Sequence, residues 1–295
     1  MKFGVNLFIW TANFDASHLP LLPRIKAAGF DGVEISMYRG REFAVSDVRR
    51  GLADNGLECT ICSILVDGLS MISDDSSIRD KAVEQVKENI AATAECGGKV
   101  IAGPLYSPVG YLAGRRRSQD EWKRGVDCWQ RLGQTLTSHG VTAAIEPLNR
   151  FETFFLNTAE DSARFCDEIN HPNVGILFDT FHANIEEKDP VGSIATLSAT
   201  GKLNHVHISE NDRGTPGRGH AKIRESIAHL KALGYDGWLT IEAFGRRVPG
   251  LAAATRVWRD YFPDPEQVYV EGYRFIRESW DGLPVRAVSA DQSRG

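Results

Sequence analysis

Eight short apolar runs, separated by amphipathic stretches, constrain this chain more than any other feature. They fall at residues 2–9, 32–37, 57–64, 99–103, 141–146, 174–179, 203–208 and 238–244. Each has the length and β-branched content of a strand buried on both faces, as parallel strands covered by helices are. The segments between them carry helical spacing. The clearest is 79–96, where Ala82, Val86, Ile90 and Ala94 recur every four residues; 119–139, 160–169 and 222–233 read the same way. Gly29, Gly56, Gly97, Gly140 and Gly234 each stand just ahead of a strand, where a left-handed residue ends a helix. Two of these joints, KAAGFDG at 26–32 and KALGYDG at 231–237, resemble one another, as repeated use of one βα unit would produce.

Strands alternating with helices in this order leave a (β/α)8 barrel or an open doubly wound sheet. No G-x-G-x-x-G follows the first strand, so the dinucleotide-binding form of the open sheet loses its support. We therefore expect an α/β protein, a (β/α)8 TIM barrel in one domain over 1–284. A C-terminal helical extension at 266–280 and a frayed polar tail at 285–295 complete the expectation. A length of 295 residues suits one such barrel.

Composition removes several function classes. Lys and Arg number 34 against 39 Asp and Glu, a formal charge of −5, whereas a nucleic-acid binder needs a basic stripe. No apolar run approaches the ~20 residues that cross a bilayer. The opening MKFGVNLFIW is too short for a signal peptide and is broken by Asn6. Five cysteines are an odd number in a long chain, which argues for a reduced, cytoplasmic protein rather than a disulfide framework. Cys59 and Cys62 form a C-x-x-C, but residues three apart on a strand point to opposite faces, so they read as core cysteines and not half of a zinc site.

In a barrel of this kind the chemistry sits at the C-terminal ends of the strands. Strand five ends in Glu146, strand six in Asp179, strand seven carries His205 and His207 on one face, and strand eight ends in Glu242. Three acids and an imidazole from four adjacent strands therefore converge. Buried carboxylates so close together repel unless a cation sits among them. Three oxygen ligands and one imidazole suit Mn²⁺, Co²⁺ or Mg²⁺. Either histidine satisfies this pattern, and the other then serves as a hydrogen-bonded core residue.

These residues resemble a known family. EPLNRFE at 146–152 followed by LNT at 156–158 is similar to the strand-five segment of ketose 3-epimerases of the D-tagatose/D-allulose type. DTFHANIEE at 179–187, HISENDR at 207–213 with PGRG at 216–219, and EAF at 242–244 with VWRD at 257–260 resemble the segments that follow. The resemblance implies a xylose-isomerase-like barrel that binds one divalent metal through Glu146, Asp179, His207 and Glu242, choosing His207 over His205. It further implies that Glu152, His182 and Arg213 bind the sugar near its carbonyl end, and that the chain forms a homodimer or homotetramer. Three positions depart from the family: Asn6 in place of an aromatic, the loop LYSPVG at 105–110 without a tryptophan, and Ser209 in place of glycine. Asn6 is expected to line the far end of the sugar.

The implied chemistry is epimerisation of a ketose at C3 through a cis-enediolate. Glu146 and Glu242, on opposite faces of C3, exchange the proton, and no nicotinamide is required. Aldose–ketose isomerisation would use the same site one carbon over. A sugar-phosphate substrate would need a clamp, for which Arg115, Arg116 and Arg117 or the 217–219 turn are candidates. A DNA-repair nuclease on a related barrel would need further histidines, and strands three and four end without them, at Ser63 and Gly103. A non-catalytic sugar-binding barrel leaves the two facing glutamates unexplained.

Overall fold

A computed structural model describes residues 1–282. Eight strands close into an all-parallel barrel in chain order: β1 (Lys2–Asn6), β2 (Gly32–Ser36), β3 (Glu58–Cys62), β4 (Val100–Gly103), β5 (Thr142–Ile145), β6 (Val174–Asp179), β7 (Leu203–Ile208) and β8 (Trp238–Ile241). Helices α1 (Leu21–Ala28), α2 (Val45–Asn55), α3 (Ser76–Glu95), α4 (Gln119–His139) and α5 (Ala159–Ile169) follow the early strands. After β6 come α6 (Thr180–Glu186) and α7 (Ser193–Ala199), after β7 comes α8 (Ile223–Ala232), and after β8 come α9 (Pro249–Ala254) and α10 (Gly272–Asp281). The expected (β/α)8 architecture and its C-terminal helix are present. The boundary placed at 284 and the tail 285–295 lie outside the described residues.

The sequence pattern explains the layering. Val206 and Ile208 of β7 and Ile176 and Phe178 of β6 point outward into the main helix–sheet core, while His205, His207 and Asp179 point into the barrel. Cys59 packs on the helical side and Cys62 inside, on opposite faces as their spacing requires; all five cysteines are free and buried. The five helix-ending glycines all take positive φ, between 59° and 110°. The two similar joints do matching work: Asp31 accepts from the Phe3 amide, and Asp236 pairs with the chain's N-terminal ammonium, so both anchor the start of β1.

Several strands are shorter than the apolar runs, and this places the site. The run at 2–9 leaves the sheet after Asn6, whose side chain accepts from Phe8 N–H and turns Leu7–Ile9 into a 3-10 turn. The run at 238–244 leaves after Ile241, and that at 141–146 after Ile145. Glu242 and Glu146 are thus one residue beyond their strands, each tied back by its amide, to Ile208 and Gly103 carbonyls respectively. The 266–280 segment begins as a wider π turn, Gln267–Glu271, before α10.

Gly103 is the joint that holds Glu146. Its φ is +129°, and a Cβ there would lie 2.1 Å from the Ser63 carbonyl oxygen. Neither the backbone angle nor the space accepts a side chain. Gly103→Ala should destabilise the protein by more than about 1 kcal/mol in denaturant unfolding; wild-type stability in this variant would show that the β4 end can relax.

Candidate active site

The four strand-end residues meet. One ligand atom from each of Glu146, Asp179, His207 and Glu242 lies within 4.8 Å of all the others, and all four residues are buried. His207 Nδ1 faces Glu242 Oε1 at 3.4 Å, Asp179 Oδ2 at 3.8 Å and Glu146 Oε1 at 3.9 Å. This nitrogen is fully buried and has no aligned hydrogen-bond partner. Three carboxylates around an unpartnered imidazole nitrogen fit a divalent cation, and these residues form a candidate divalent metal site.

Arg213 supplies fixed positive charge. Its Nη1 donates to Asp179 Oδ2 at 2.8 Å, to Glu242 Oε2 at 2.7 Å and to Ser209 Oγ at 3.0 Å. The guanidinium stacks between Phe181 and Phe244, 3.9 and 4.9 Å from the ring centres. Its ordinary pKa is already high, and the two carboxylates raise it further against the effect of burial.

The carboxylates are not equivalent. Burial, with Glu242 and Asp179 nearby, pushes the Glu146 carboxyl well above its usual range, although His207 opposes this. Burial raises Asp179 to about 6. Burial also acts to raise Glu242, but the attraction of His207 and Arg213 wins and its pKa is lowered. Burial works against a charge on His207, yet Glu34 and Glu242 together raise its pKa well above the usual value.

His182 and Glu152 join the site through a residue the sequence reading did not single out. The Asn149 amide donates to His182 Nδ1 at 3.0 Å, and the Asn149 side chain donates to Glu152 Oε1 at 2.9 Å. A backbone N–H can only donate, so His182 Nδ1 holds the lone pair and Nε2 holds the proton. Burial and the nearby Arg213 lower the His182 pKa, keeping the ring neutral. Its Nε2 lies 3.6 Å from Glu146 Oε1 and 3.0 Å from Arg213 Nη2. A cavity of about 760 Å³ opens above these residues, lined by Glu152, Asn149, Phe181, Tyr38, Ile64 and Leu251 among others.

Asn6 is placed differently from the other expected residues. It is fully buried, with Nδ2 donating to Glu34 Oε1 at 2.8 Å and Oδ1 accepting from Phe8 N–H, so both polar atoms are engaged away from the cavity. Glu34 was absent from the expected set. A lone charged residue inside the fully buried GVEIS strand was the available signal, since a buried acid needs partners. Most of the candidate phosphate clamps are engaged: Arg115 forks onto Glu121, Arg117 onto Asp161, and the Gly217 N–H donates to Glu210, while the Arg116 side chain is exposed.

The closed parallel barrel and the acid–imidazole cluster at its C-terminal end define the class, a TIM barrel with a candidate metal centre. Residues 22–279 match the model of the xylose isomerase-like TIM barrel family. A probable ketose 3-epimerase of Synechocystis sp. is 32% identical over 280 residues, covering 95% of this chain and 97% of that protein. An L-ribulose 3-epimerase of Mesorhizobium japonicum is 32% identical over 266 residues, covering 89% of each. Among solved structures, a D-allulose 3-epimerase from Methylomonas sp. superposes with a TM-score of 0.89 at 26% identity, covering 95% of this chain and 98% of that one. The chain belongs to the xylose isomerase-like TIM barrel family and, within it, to the ketose 3-epimerases, enzymes of the isomerase class.

A metal ligand must shed its proton, and both Glu146 and His207 hold theirs more tightly than usual. Protons would therefore compete with a cation at this candidate site. Mn²⁺ affinity measured by calorimetry should fall as pH drops from about 8 to about 6, with proton release on binding. Affinity independent of pH would contradict the protonation states described.

Proposed function

We propose that this enzyme epimerises a free ketose at C3 by removing the C3 proton and returning one to the opposite face, with one divalent cation, Mn²⁺ foremost and Co²⁺ or Mg²⁺ as substitutes. The observation that carries the reading is the pair Glu146 and Glu242. They leave β5 and β8, flank one imidazole, and are pushed in opposite directions, one toward the acid and one toward the carboxylate. A proton donor facing a proton acceptor is what a two-sided transfer needs. When bound, the cation would polarise the ketone oxygen and stabilise the charge that develops there.

The chain's own residues then have separate tasks. His182 Nε2 and Arg213 Nη2 lie 3.0 Å apart beside Glu146, both within reach of a sugar oxygen placed there. Glu152, held by Asn149, accepts from a hydroxyl. The cavity above takes the remaining carbons. The proton leaves and returns without net redox, so the reaction has no use for a nicotinamide. Engagement of Arg115, Arg117 and the Gly217 N–H elsewhere favours a free sugar over a phosphorylated one.

Two further readings complete the proposal. Exposed Tyr111, Leu112 and Trp258 supply apolar surface for a homodimer or homotetramer. Tyr106, in the same loop as Tyr111, is buried and adds nothing to that surface. Five free cysteines, with burial pushing the Cys59 thiol up to about 12, suit a reducing, cytoplasmic setting. Among the described residues no helix is long and apolar enough to cross a membrane.

The test is incubation of Mn²⁺-loaded enzyme with free ketoses, aldoses and their phosphates, with products read by NMR. C3 epimers of free ketoses are expected, with activity lost in EDTA and regained with Mn²⁺. Glu146→Gln and Glu242→Gln should each lower kcat by about 10²–10⁴-fold. Aldose products, or preference for the phosphates, would overturn the assignment.

A further inference from the structure

Glu34 lies in the barrel interior, fully buried, and no step of the proposed reaction uses it. A carboxylate in that position is costly unless its lone pairs are filled. They are filled from three other strands. Oε1 accepts from Asn6 Nδ2 of β1 at 2.8 Å and from His207 Nε2 of β7 at 2.7 Å. Oε2 accepts from Thr60 Oγ1 of β3 at 2.9 Å, and His205 Nε2 of β7 lies 2.7 Å from it, poorly aligned for a hydrogen bond. In the closed strand order β8 and β1 lie between β7 and β2, so Glu34 reaches across the barrel to hold these rings.

The orientation of each group follows. Phe8 N–H occupies Asn6 Oδ1, so the Asn6 amide can only present its NH₂ to Glu34. That fixes Oε1 where His207 Nε2 meets it. An ionised carboxylate only accepts, so His207 Nε2 must carry a proton, and Nδ1 is the atom turned toward Glu146, Asp179 and Glu242. His205 meets the same carboxylate, but its Nδ1 faces no partner. Glu34, His205 and His207 also lie close enough to resemble a second metal cluster. The Glu34 oxygens are already taken by N–H and O–H donors at 2.7–2.9 Å, which argues for a hydrogen-bonded support rather than a second ion.

We infer that Glu34 is a positioning residue that makes His207, and not His205, the imidazole ligand, by pinning His207 through Nε2 so that Nδ1 faces the three carboxylates. A carboxylate behind a metal-bound histidine fixes ring orientation and raises ligand basicity, and its loss typically costs 10–100-fold in metal affinity. The inference rests on the reading of Glu146, Asp179, His207 and Glu242 as the metal site.

The test uses the full-length protein and Mn²⁺ calorimetry. Glu34→Gln keeps the size of the side chain but can accept through only one of its two end atoms. It should weaken Mn²⁺ binding by about 10–100-fold, while kcat returns at saturating Mn²⁺. A variant that binds Mn²⁺ within twofold of wild type would overturn the inference. So would one whose kcat stays low at saturating Mn²⁺ with its metal affinity intact, since that separates general damage from ligand positioning. Histidine nitrogen NMR of wild-type protein loaded with diamagnetic Zn²⁺ needs no variant. The remaining His207 proton should sit on Nε2, assigned by comparison with His205→Asn. An Nδ1–H form, or a metal-shifted His205, would refute the role even if Glu34→Gln does not fold. Wild type that binds no Mn²⁺ would instead sink the metal site itself, a separate outcome.

Discussion

Three buried carboxylates share the open end of this barrel with one fixed cation and one imidazole, and the geometry around them follows from that imbalance. Arg213 spans Asp179 and Glu242, while His207 faces all three acids. Removing Arg213 would leave buried charge uncompensated, a loss worth several kcal/mol in typical cases. The chain accepts local strain to keep Arg213 in place. Its φ is 62°, a left-handed conformation that costs a non-glycine residue roughly 1–2 kcal/mol. Hydrogen bonds from its amide to Glu210 and from the Phe244 amide to its carbonyl hold that turn, and two aromatic rings sandwich the guanidinium.

The scaffold makes this charge cluster tolerable by keeping it rigid. Glu146 and Glu242 stand one residue beyond their strands, each with its amide bonded to the neighbouring strand's last carbonyl. Below them the barrel interior is polar and filled by Asn6, Glu34, Thr60, His205 and His207, not only by the branched apolar layers common in such barrels. Support therefore comes from behind the site, and the mouth is left to a wide cavity with apolar walls. Small residues at Ala102 and Ala144, packed with Leu177, fill the rest of the interior near the site.

The sequence made the architecture readable because strand and helix periods alternate cleanly and glycine marks the ends of five helices. It also made the metal-type cluster readable, because acids and a histidine at consecutive strand ends have no bland explanation. What it concealed were contacts between strands distant in sequence. Glu34 sits in a run that periodicity treats as core, and only the closed barrel brings it to His207, 173 positions away. Asn149 follows Glu146 in plain view, yet its importance lies in donating to His182 and Glu152, which depends on the path of the loop. Asn6 ends β1 three residues before the apolar run does, and its amide is spent inside the barrel. In the arginine run at 115–117, a candidate clamp by sequence, Arg115 and Arg117 form bidentate structural pairs and Arg116 is exposed.

The central claim is that two carboxylates work on opposite faces of one carbon, and a single-turnover reaction in D₂O tests it most directly. If Glu146 and Glu242 each handle one face, the proton returned is not the one removed, because it comes from a different carboxyl group in exchange with solvent. Deuterium should then appear at C3 of the product from the first turnover, with C1 remaining protonated. Product that keeps its original C3 hydrogen, or deuterium entering at C1 instead, would contradict the account.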